Sequence, residues 1–507
     1  MPASLNFLSD ADGAQARPAA EKMGDVISVK DFGAVGDGMT DDRAAFQAAL
    51  DWPPAGANAY TSIYIPPGSY LLSDTIRIDK SHVRLFGAGD KSCLYFAPSS
   101  TGKILMMVQH SEPSQLIAQI ALESFGIRAE YPTPTYAKTA IKLVDASNVT
   151  IRNVNILDLS WSGGTGLGSI ALHLCGRDTH KISDCIFTAD TPIYGDKNPN
   201  STKYQFDCHT FWTLWLQTIK SSNYAIRFAP GVNPSNWVMG GNSLALQGFG
   251  GIYLNNEGET TETPSMIHID SFRVESGTGS GGDAGGYGIF MDFGTGNPAC
   301  TNLQLTNCSV NDPTCNGYHI KGVSGLLADN INCGFASGNN AFILNDVANA
   351  NIRSLGIGDD AAIVQFNDMF AQYVVKLASA FAHPTNPSIA VGIYTHYDSD
   401  GPSRNLVYEN GVRKWSRTQT MSNAGEMELP ALTDGQSMRV SVSCAGGGAD
   451  YNVTFTGASL ISSAGSAAFT VGGTGDVSLV SNGSGSNKLV NVALGANRVF
   501  NVTTAGS

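Results

Sequence analysis

Three acidic side chains recur at one position of a loose sequence repeat and could supply acid–base chemistry. Counting five residues past a polar residue near the middle of each repeat unit reaches Asp158, Glu275 and Asp312. If the units stack as parallel strands, Glu275 and Asp312 lie on successive coils about 5 Å apart. Two carboxylates at this spacing can hydrolyse a glycosidic bond, one as the acid and one as the base or nucleophile. The sequence therefore predicts Glu275 with Asp312 or Asp292 as the catalytic pair, because Asp292 falls in the coil between them.

Other polar side chains leave a second reaction open. Removal of the C5 proton of a uronate needs a base, and the enolate that forms needs a nearby cation. His268, Tyr253, Arg273 and Lys321 are candidates for these roles. Their spacing does not distinguish them from ordinary surface or core residues. Hydrolysis is therefore predicted ahead of β-elimination.

Side chains on or beside the loops are expected to bind the substrate. Flat aromatic faces stack on sugar rings, and Arg273 lies two positions from Glu275, on the same face of its strand. The predicted substrate-binding residues are Arg273, Trp237, Tyr253, Trp161, His268 and Glu257.

The sequence lacks the usual motifs of several cofactor and metal enzymes. It contains no GxSxG, HExxH or phosphate-loop motif. None of its nine cysteines belongs to a CxxC pair, and the adjacent Asp359 and Asp360 are too few carboxylates for a calcium site. We therefore expect no cofactor and no metal.

Composition limits the class of protein. Of the 507 residues, 57 are glycine and only 14% are charged, which is typical of a turn-rich β protein. The net charge of −13 disfavours nucleic acid, since phosphate binding needs clustered Lys and Arg. The chain has neither an apolar run of about eighteen residues for a membrane span nor an N-terminal secretory signal. A soluble protein made in a cytosol is expected.

The repeat itself predicts the elements that would position these side chains. From Ile141 to Gly358 the chain repeats units of about 20–25 residues, each with short alternating apolar stretches. β-Branched residues are frequent, and apolar residues do not recur at helical spacing, so a β-solenoid is favoured over an α-solenoid. Its corners are predicted at Asn153, Asp184, Asp270 and Asn307.

Composition changes along the chain divide it into three segments. Residues 1–28 are predicted to be a flexible lead or neck, and residues 29–384 a parallel β-helix with an N-terminal cap. Insertions at 188–221 and 257–265 are expected to project as loops. Residues 385–507 are rich in Gly, Ser and Thr and are predicted to form a β-sandwich-like domain for trimerisation or carbohydrate binding.

The sharpest local motif is VKDFGAVGDGMTDDRAAFQAAL, beginning at Val29. Its glycines permit an irregular loop, and Thr40 is predicted to cap a short helix. Phe46, Ala49 and Leu50 give that helix one apolar face. The segment SIYIPPGSYLL that follows predicts a strand, a turn and a second strand.

These two segments resemble the opening of the pectate-lyase-like family of right-handed β-helices. The resemblance is strongest to the receptor-binding tailspikes and capsule depolymerases of tailed bacteriophages, and the coil repeat extends it to about residue 360. It implies a homotrimer with a groove that binds, and usually cleaves, a bacterial polysaccharide. It does not imply a reaction type. It also implies that the helix and its neighbouring carboxylates cap the open end of the β-helix.

On this basis we expect a tailspike depolymerase of the virion tail, made in the host bacterial cytoplasm and acting outside the cell. Its expected partners are a bacterial surface polysaccharide, two further copies of the chain and a virion tail protein that provides attachment. A virion-anchoring segment preceding Met1 is the alternative mode of attachment. A polysaccharide lyase, a non-catalytic receptor-binding spike and a structural stalk with a binding tail domain are the alternative functions. No nucleic-acid or membrane partner is expected.

Overall fold

The computed structural model describes the side chains of most residues up to 347 and the strands of the remainder. The described residues are 6–9, 12–52, 60–96, 104–112, 115–128, 137–159, 166–197, 206–207, 209–219, 223–232, 234–246, 249–256, 265–275, 286–294, 300–311, 316–334, 340–348, 351–352, 355–357, 363–367, 395–396, 404–409, 412–421, 426–429, 438–445, 451–455, 465–471, 474–481, 487–491 and 498–506. Two compact units divide the chain, Met1–Gln365 and Phe366–Ser507. The boundary predicted after residue 384 lies outside the described residues.

Three parallel sheets wind through the first unit, because each coil contributes a strand to each of them. Some long strands bend from the first sheet into the second, namely Val83–Phe96, Ile117–Arg128, Ala146–Leu159, Lys181–Ala189 and Thr210–Thr218. Asn316–Asp329 bends from the third sheet into the first. Parallel crossovers are right-handed in nearly all proteins. The architecture confirms the predicted right-handed parallel β-helix.

The shorter strands complete each sheet. The first sheet also contains Ile27–Ser28, Thr61–Ile65, Val238–Gly240, Ser265–Asp270, Cys300–Thr306 and Asn351–Ile352. The second sheet also contains Asp37–Asp41, Gly68–Leu72, Leu244–Leu246, Arg273–Glu275, Ser309–Asn311, Ile331–Cys333 and Leu355–Ile357. The third sheet also contains Ile76–Ile78, Ile104–Val108, Thr139–Val144, Ile170–Cys175, Thr191–Asp196, Tyr224–Phe228, Gly250–Asn255, Tyr287–Asp292, Asn340–Ala348 and Ile363–Asn367.

The core of the solenoid consists of aliphatic side chains stacked in register. On the third sheet, one such column contains Ile141, Leu172, Ile193, Ile226 and Ile252, and each of these side chains is almost fully buried. Burial of one aliphatic side chain stabilises the fold by about 1.5–3 kcal/mol, so every coil adds to stability and fixes the register of the next. Side chains at alternate positions of the same strands face outward.

A column of residues with left-handed backbone forms the corner between the first and second sheets. Its members are Ser124, Asn153, Asp184, Thr213, Asn242, Ser271, Asn307 and Asn330. Asn and Asp tolerate this conformation well, which is why the sequence predicted three of these corners correctly. The prediction is wrong at Asp270, because the neighbouring Ser271 occupies the corner. Asp270 instead accepts hydrogen bonds from the hydroxyls of Ser271 and Thr306.

The start of the solenoid contains a 3-10 helix, Val29–Phe32, and an α-helix, Arg43–Asp51. The predicted apolar face is confirmed, since Phe46, Ala49 and Leu50 are buried. The prediction of Thr40 as the cap is wrong. Asp42 occupies that position, and its carboxylate accepts hydrogen bonds from the backbone N–H groups of Val35 and Gly36 at 2.6 and 3.0 Å.

We expect Asp42→Ala to lower the free energy of unfolding by about 3 kcal/mol, because it leaves two part-buried N–H groups without their acceptor. Chemical denaturation followed by circular dichroism measures the change. Asp37→Ala is the matched control, since the carboxylate of Asp37 also accepts backbone hydrogen bonds in this loop but is exposed. Equal losses in the two variants would contradict the prediction.

The remaining described elements lie outside the three sheets. They include an antiparallel pair, Asn6–Phe7 with Arg17–Pro18, the helix Ala19–Met23, and a small parallel sheet of Arg177–Asp178, Phe206–Asp207 and Pro234–Ser235. Within the described part of the chain, no helix combines the length and apolarity needed to cross a membrane.

Antiparallel strands make up the described part of the second unit. A six-stranded sheet contains, in spatial order, Thr395–His396, Arg404–Glu409, Val412–Met421, Arg498–Gly506, Met438–Ala445 and Tyr451–Phe455. A four-stranded sheet contains Glu426–Leu429, Asn487–Asn491, Thr474–Ser481 and Gly465–Val471. The sandwich-like packing of this unit stays a prediction.

Candidate functional site

One register position of the third sheet carries basic or aromatic side chains on seven successive coils. We call this series the third-sheet ladder. Its members, in register, are Lys142, His173, Tyr194, Arg227, Tyr253, Phe290 and His319. Strands of a parallel sheet lie about 4.8 Å apart, so the ladder extends for about 29 Å. On each strand, the residues before and after the ladder position point into the core. Because side chains alternate along a strand, the ladder residues face outward.

Touching aromatic rings form one half of this surface, which we call the aromatic patch. It consists of Tyr224, Phe249, Tyr253, Tyr287, Phe290 and His319. The Tyr253 and Phe290 rings stack with centroids 5.1 Å apart, and the Phe290 and His319 rings lie 4.6 Å apart. Most of these rings are half-buried, so one part packs on the sheet and the other faces solvent. The guanidinium of Arg227 lies 5.5 Å from the Tyr253 ring centre and joins the patch to the basic half of the ladder.

Titratable side chains form the other half, which we call the polar cluster. It consists of Lys142, His173, Cys175, Tyr194, Asp196 and Arg227. Cys175 lies directly opposite Asp196 on the neighbouring strand, and the rings of His173 and Tyr194 are 5.1 Å apart. Nε2 of His173 lies 3.5 Å from Oδ2 of Asp196, which is too long for a good hydrogen bond. His173 and Cys175 are buried, whereas the side chain of Asp196 is 37% exposed.

The surroundings give these groups different protonation states. Burial raises the pKa of Tyr194 to about 12, and the nearby Asp196 acts in the same direction. Burial also raises the pKa of the Cys175 thiol to about 12 and lowers the pKa of His173. Burial acts to raise the pKa of Asp196, but the adjacent His173, the backbone N–H of Lys197 and the Lys142 ammonium together lower it. At neutral pH a protonated phenol therefore lies beside an ionised carboxylate.

The predicted carboxylate column is wrong at Glu275. The register places Glu275 opposite Asn311, so Asp312 belongs to a different position, and a shift of one residue reverses the face of a strand. The error follows from the corner at Ser271, because five residues past that corner is residue 276. Glu275 forms an ion pair with Arg273, and the predicted partner Asp312 lies outside the described residues.

Asp292 lies on the third sheet, whereas Glu275 lies on the second, so the two do not share a column. The carboxylate of Asp292 is almost fully buried. It accepts hydrogen bonds from the ammonium of Lys321 at 3.1 Å and from the backbone N–H of Gly294 at 2.8 Å. The contact with Lys321 links adjacent coils, and it engages one of the two cations, Arg273 and Lys321, that the sequence offered for a lyase.

The structure separates the predicted substrate-binding residues. Tyr253 is half-exposed at the centre of the aromatic patch, and Arg273 is exposed on the second sheet. The role predicted for Trp237 is wrong, since its side chain is fully buried against Phe211 and Phe228.

His268 lies on the first sheet, where Nε2 contacts the hydroxyl of Thr306 at 3.1 Å. Trp161 and Glu257 lie outside the described residues. The structure thus brings Tyr253 to the third-sheet ladder but leaves His268 and Arg273 on other sheets.

Sequence reasoning missed the polar cluster because each coil contributes only one or two of its six members. A signal was present for the four members that belong to the ladder, since each lies one residue past an aliphatic core position in IKLV, IALHLC, PIYGD and YAIRF. Finding it requires all of these strands to be aligned in register, and the loops between them differ in length.

Comparison with known proteins finds similarity over parts of the chain. A family model described as rhamnogalacturonase A/epimerase, pectate lyase-like, matches residues 26–223. The mannuronan C5-epimerase AlgE6 of Azotobacter vinelandii is 31% identical over 206 residues, which cover 36% of this chain and 22% of that protein. The plasmin and fibronectin-binding protein A of Streptococcus pneumoniae is 46% identical over 59 residues, covering 12% and 8%. The chain therefore spans less than a quarter of the length of these relatives.

Solved β-helix structures are similar at lower identity. The A-module of the mannuronan C5-epimerase AlgE4 of Azotobacter vinelandii has a TM-score of 0.46 at 16% identity, covering 69% of this chain and 97% of that one. The tailspike of E. coli bacteriophage HK620 in complex with a pentasaccharide has a TM-score of 0.45 at 11% identity, covering 99% and 96%. Residues 26–223 thus match a pectate-lyase-like family model, in agreement with the resemblance of the opening motif.

Proposed function

We propose that the chain binds a polysaccharide along the third-sheet ladder and modifies it at the polar cluster. The observation that carries this proposal is the aromatic patch, in which half-exposed rings follow one another along the sheet. Such rings present flat apolar faces on which sugar rings can stack. A linear glycan lying along the solenoid would contact the patch with one part and the polar cluster with the next.

Charge on the ladder favours a glycan that carries carboxylates. Lys142 and Arg227 lie on either side of His173 and Tyr194 in register, so two cations flank the groups that can transfer protons. The names of the similar proteins support the same class, since one is an epimerase of mannuronan. We therefore propose a uronate-containing polysaccharide as the substrate.

The polar cluster contains the groups that proton transfer next to a carboxylate requires. In our proposal, Asp196 accepts the C5 proton of a bound uronate, while Lys142 and Arg227 stabilise the negative charge that develops on the sugar carboxylate. Tyr194 then donates its proton. Donation to O4, with cleavage of the C4–O4 bond, gives elimination, and donation to C5 from the opposite face gives epimerisation. His173, whose Nε2 lies 3.5 Å from Oδ2 of Asp196, helps to keep this carboxylate ionised.

Hydrolysis by Glu275 with Asp312 or Asp292 is the competing proposal. It is less well supported, because Glu275 and Asp292 lie on different sheets and each is ion-paired. The virion tail, the homotrimer, attachment through another tail protein and a bacterial surface polysaccharide also remain proposals. They rest on the resemblance of the opening motif to phage tailspikes. A spike that binds without modification is the remaining alternative.

Binding by the patch is tested with the double variant Tyr253→Ala and Phe290→Ala. We expect a loss of about 2 kcal/mol in binding free energy, or about thirtyfold in affinity, because two stacking faces are removed. Affinity electrophoresis against a panel of bacterial polysaccharides, followed by calorimetry on those retained, measures the effect. Trp215→Ala removes an exposed aromatic on the second sheet and should leave affinity unchanged. A larger loss in this control than in the double variant would contradict the proposed binding face.

A further inference from the structure

We propose that His173, Cys175 and Asp196 form a binding site for one transition-metal ion of the zinc class. These side chains offer a ring nitrogen, a sulfur and a carboxylate oxygen, and the three ligand atoms all lie within 4.8 Å of one another. This mixed donor set suits zinc(II) and cobalt(II). Calcium and magnesium prefer oxygen ligands alone, so they do not fit.

The sheet holds the ligands near the spacing that a tetrahedral ion needs. His173 and Cys175 are two residues apart on one strand, so they lie on the same side of it, and Cys175 lies opposite Asp196 on the next coil. Bonds of about 2.0–2.3 Å at tetrahedral angles separate ligand atoms by about 3.4–3.7 Å. The 3.5 Å between His173 Nε2 and Asp196 Oδ2 already falls in this range.

An unsatisfied ring nitrogen gives independent evidence for a ligand. Nε2 of His173 is buried and has no hydrogen-bond partner among the described residues. A buried ring nitrogen left unpaired is unfavourable, and a metal ion would accept its lone pair. The half-exposed carboxylate of Asp196 provides a path from solvent to the site. Three protein ligands leave a fourth position for water, as in many zinc sites.

The positive charge of Lys142 should weaken metal binding at this site, which gives a further measurable prediction. It is the register neighbour of His173, and its ammonium group lies close enough to interact with the Cys175 thiol. Removing this cation should therefore strengthen metal binding. A bound ion would also occupy the carboxylate of Asp196 and block the proton transfer proposed above. That block rests on the proposed function, whereas binding itself does not.

The test is a titration of the purified full chain with cobalt(II) at neutral pH, followed by absorption spectroscopy. We expect one equivalent to bind, with a near-ultraviolet thiolate-to-cobalt band and visible bands, both displaced by zinc(II) and not by calcium. Cys175→Ser should abolish the thiolate band. Asp196→Asn should weaken binding by at least about tenfold, and Lys142→Met should tighten it.

Cys300→Ser, which alters another buried cysteine, is the matched control and should leave the spectrum unchanged. A thiolate band that survives in Cys175→Ser, or a folded wild-type chain that gives no cobalt signal, would overturn the proposal. If Cys175→Ser does not fold by circular dichroism, Asp196→Asn decides, since that side chain is half-exposed. If cobalt binds and polysaccharide modification continues, the proposed inhibition by the metal is refuted, but the metal site is not. If the metal-free chain modifies no glycan, the proposed function is refuted, but the metal site is not.

Discussion

Replacement of Tyr194 by phenylalanine should lower the rate of polysaccharide modification by about 10²- to 10⁴-fold while affinity for the glycan stays nearly unchanged. The substitution removes only the phenolic O–H, and a positioned acid contributes a factor of this size. The ring remains to pack against His173. The measurement compares turnover and affinity, using whichever bacterial polysaccharide the wild-type protein modifies.

Tyr64→Phe is the control for this prediction, because Tyr64 is half-buried on the first sheet, against Phe86. It should leave turnover at the wild-type level. Mass spectrometry of the wild-type products separates the reactions, since elimination gives an unsaturated end, hydrolysis adds water and epimerisation leaves the mass unchanged. Hydrolytic products that disappear in Glu275→Gln, with Tyr194→Phe fully active, would place the reaction on the second sheet.

The protein should lose stability as the pH falls from about 6.5 towards 4, because His180 and His209 are fully buried without charge in the solenoid. Burial lowers the pKa of His180 from 6.5 to about 4, and burial lowers the pKa of His209 well below 6.5. In the unfolded chain both bind a proton below pH 6.5, whereas in the folded chain His180 stays neutral down to about pH 4. Each buried histidine therefore costs about 1.4 kcal/mol of unfolding free energy per pH unit in this window.

The variant His209→Phe isolates this effect from that of the carboxylates. A phenyl ring keeps the aromatic contacts with His180 and Phe211 and cannot be protonated. We expect its unfolding free energy to depend less steeply on pH, by about 1.4 kcal/mol per unit. Nδ1 of His180 lies 3.0 Å from the backbone carbonyl of Asp178, a contact that does not involve His209. Urea unfolding at several pH values measures how the unfolding free energy depends on pH. His110→Gln, which alters a half-buried histidine, is the control. Equal pH dependence in the wild type and in His209→Phe would exclude His209 as a cause of the acid sensitivity.

The sequence predicted the coil repeat because its evidence is distributed over many strands. Core positions such as Ile141 and Ile252 need only be aliphatic, and a corner such as Asn153 needs only tolerate left-handed backbone. These requirements restrict residue type directly, so they appear in the sequence. The family resemblance then added handedness.

The candidate site could not be predicted in the same way, because it depends on register between coils. The serine at corner 271, where Asp270 was expected, was enough to move Glu275 out of the predicted column. Trp237 shows a second limit, since a tryptophan near a loop has the same sequence signal whether it faces the core or solvent. Tyr194 and Asp196 became candidates only when their strand was placed beside His173 and Cys175.

The third-sheet ladder draws one residue from each coil, and the loops that close the coils do not contribute to its spacing. Insertions or exchanges within those loops can therefore change the groups that surround the third-sheet ladder while the length and order of the ladder stay the same. Removal of one residue within a strand has the opposite effect, because every outward side chain beyond it on that strand would turn inward. The solenoid thus separates two kinds of inherited variation: changes in the loops alter the surroundings of the ladder, and deletions within a strand disrupt the ladder itself.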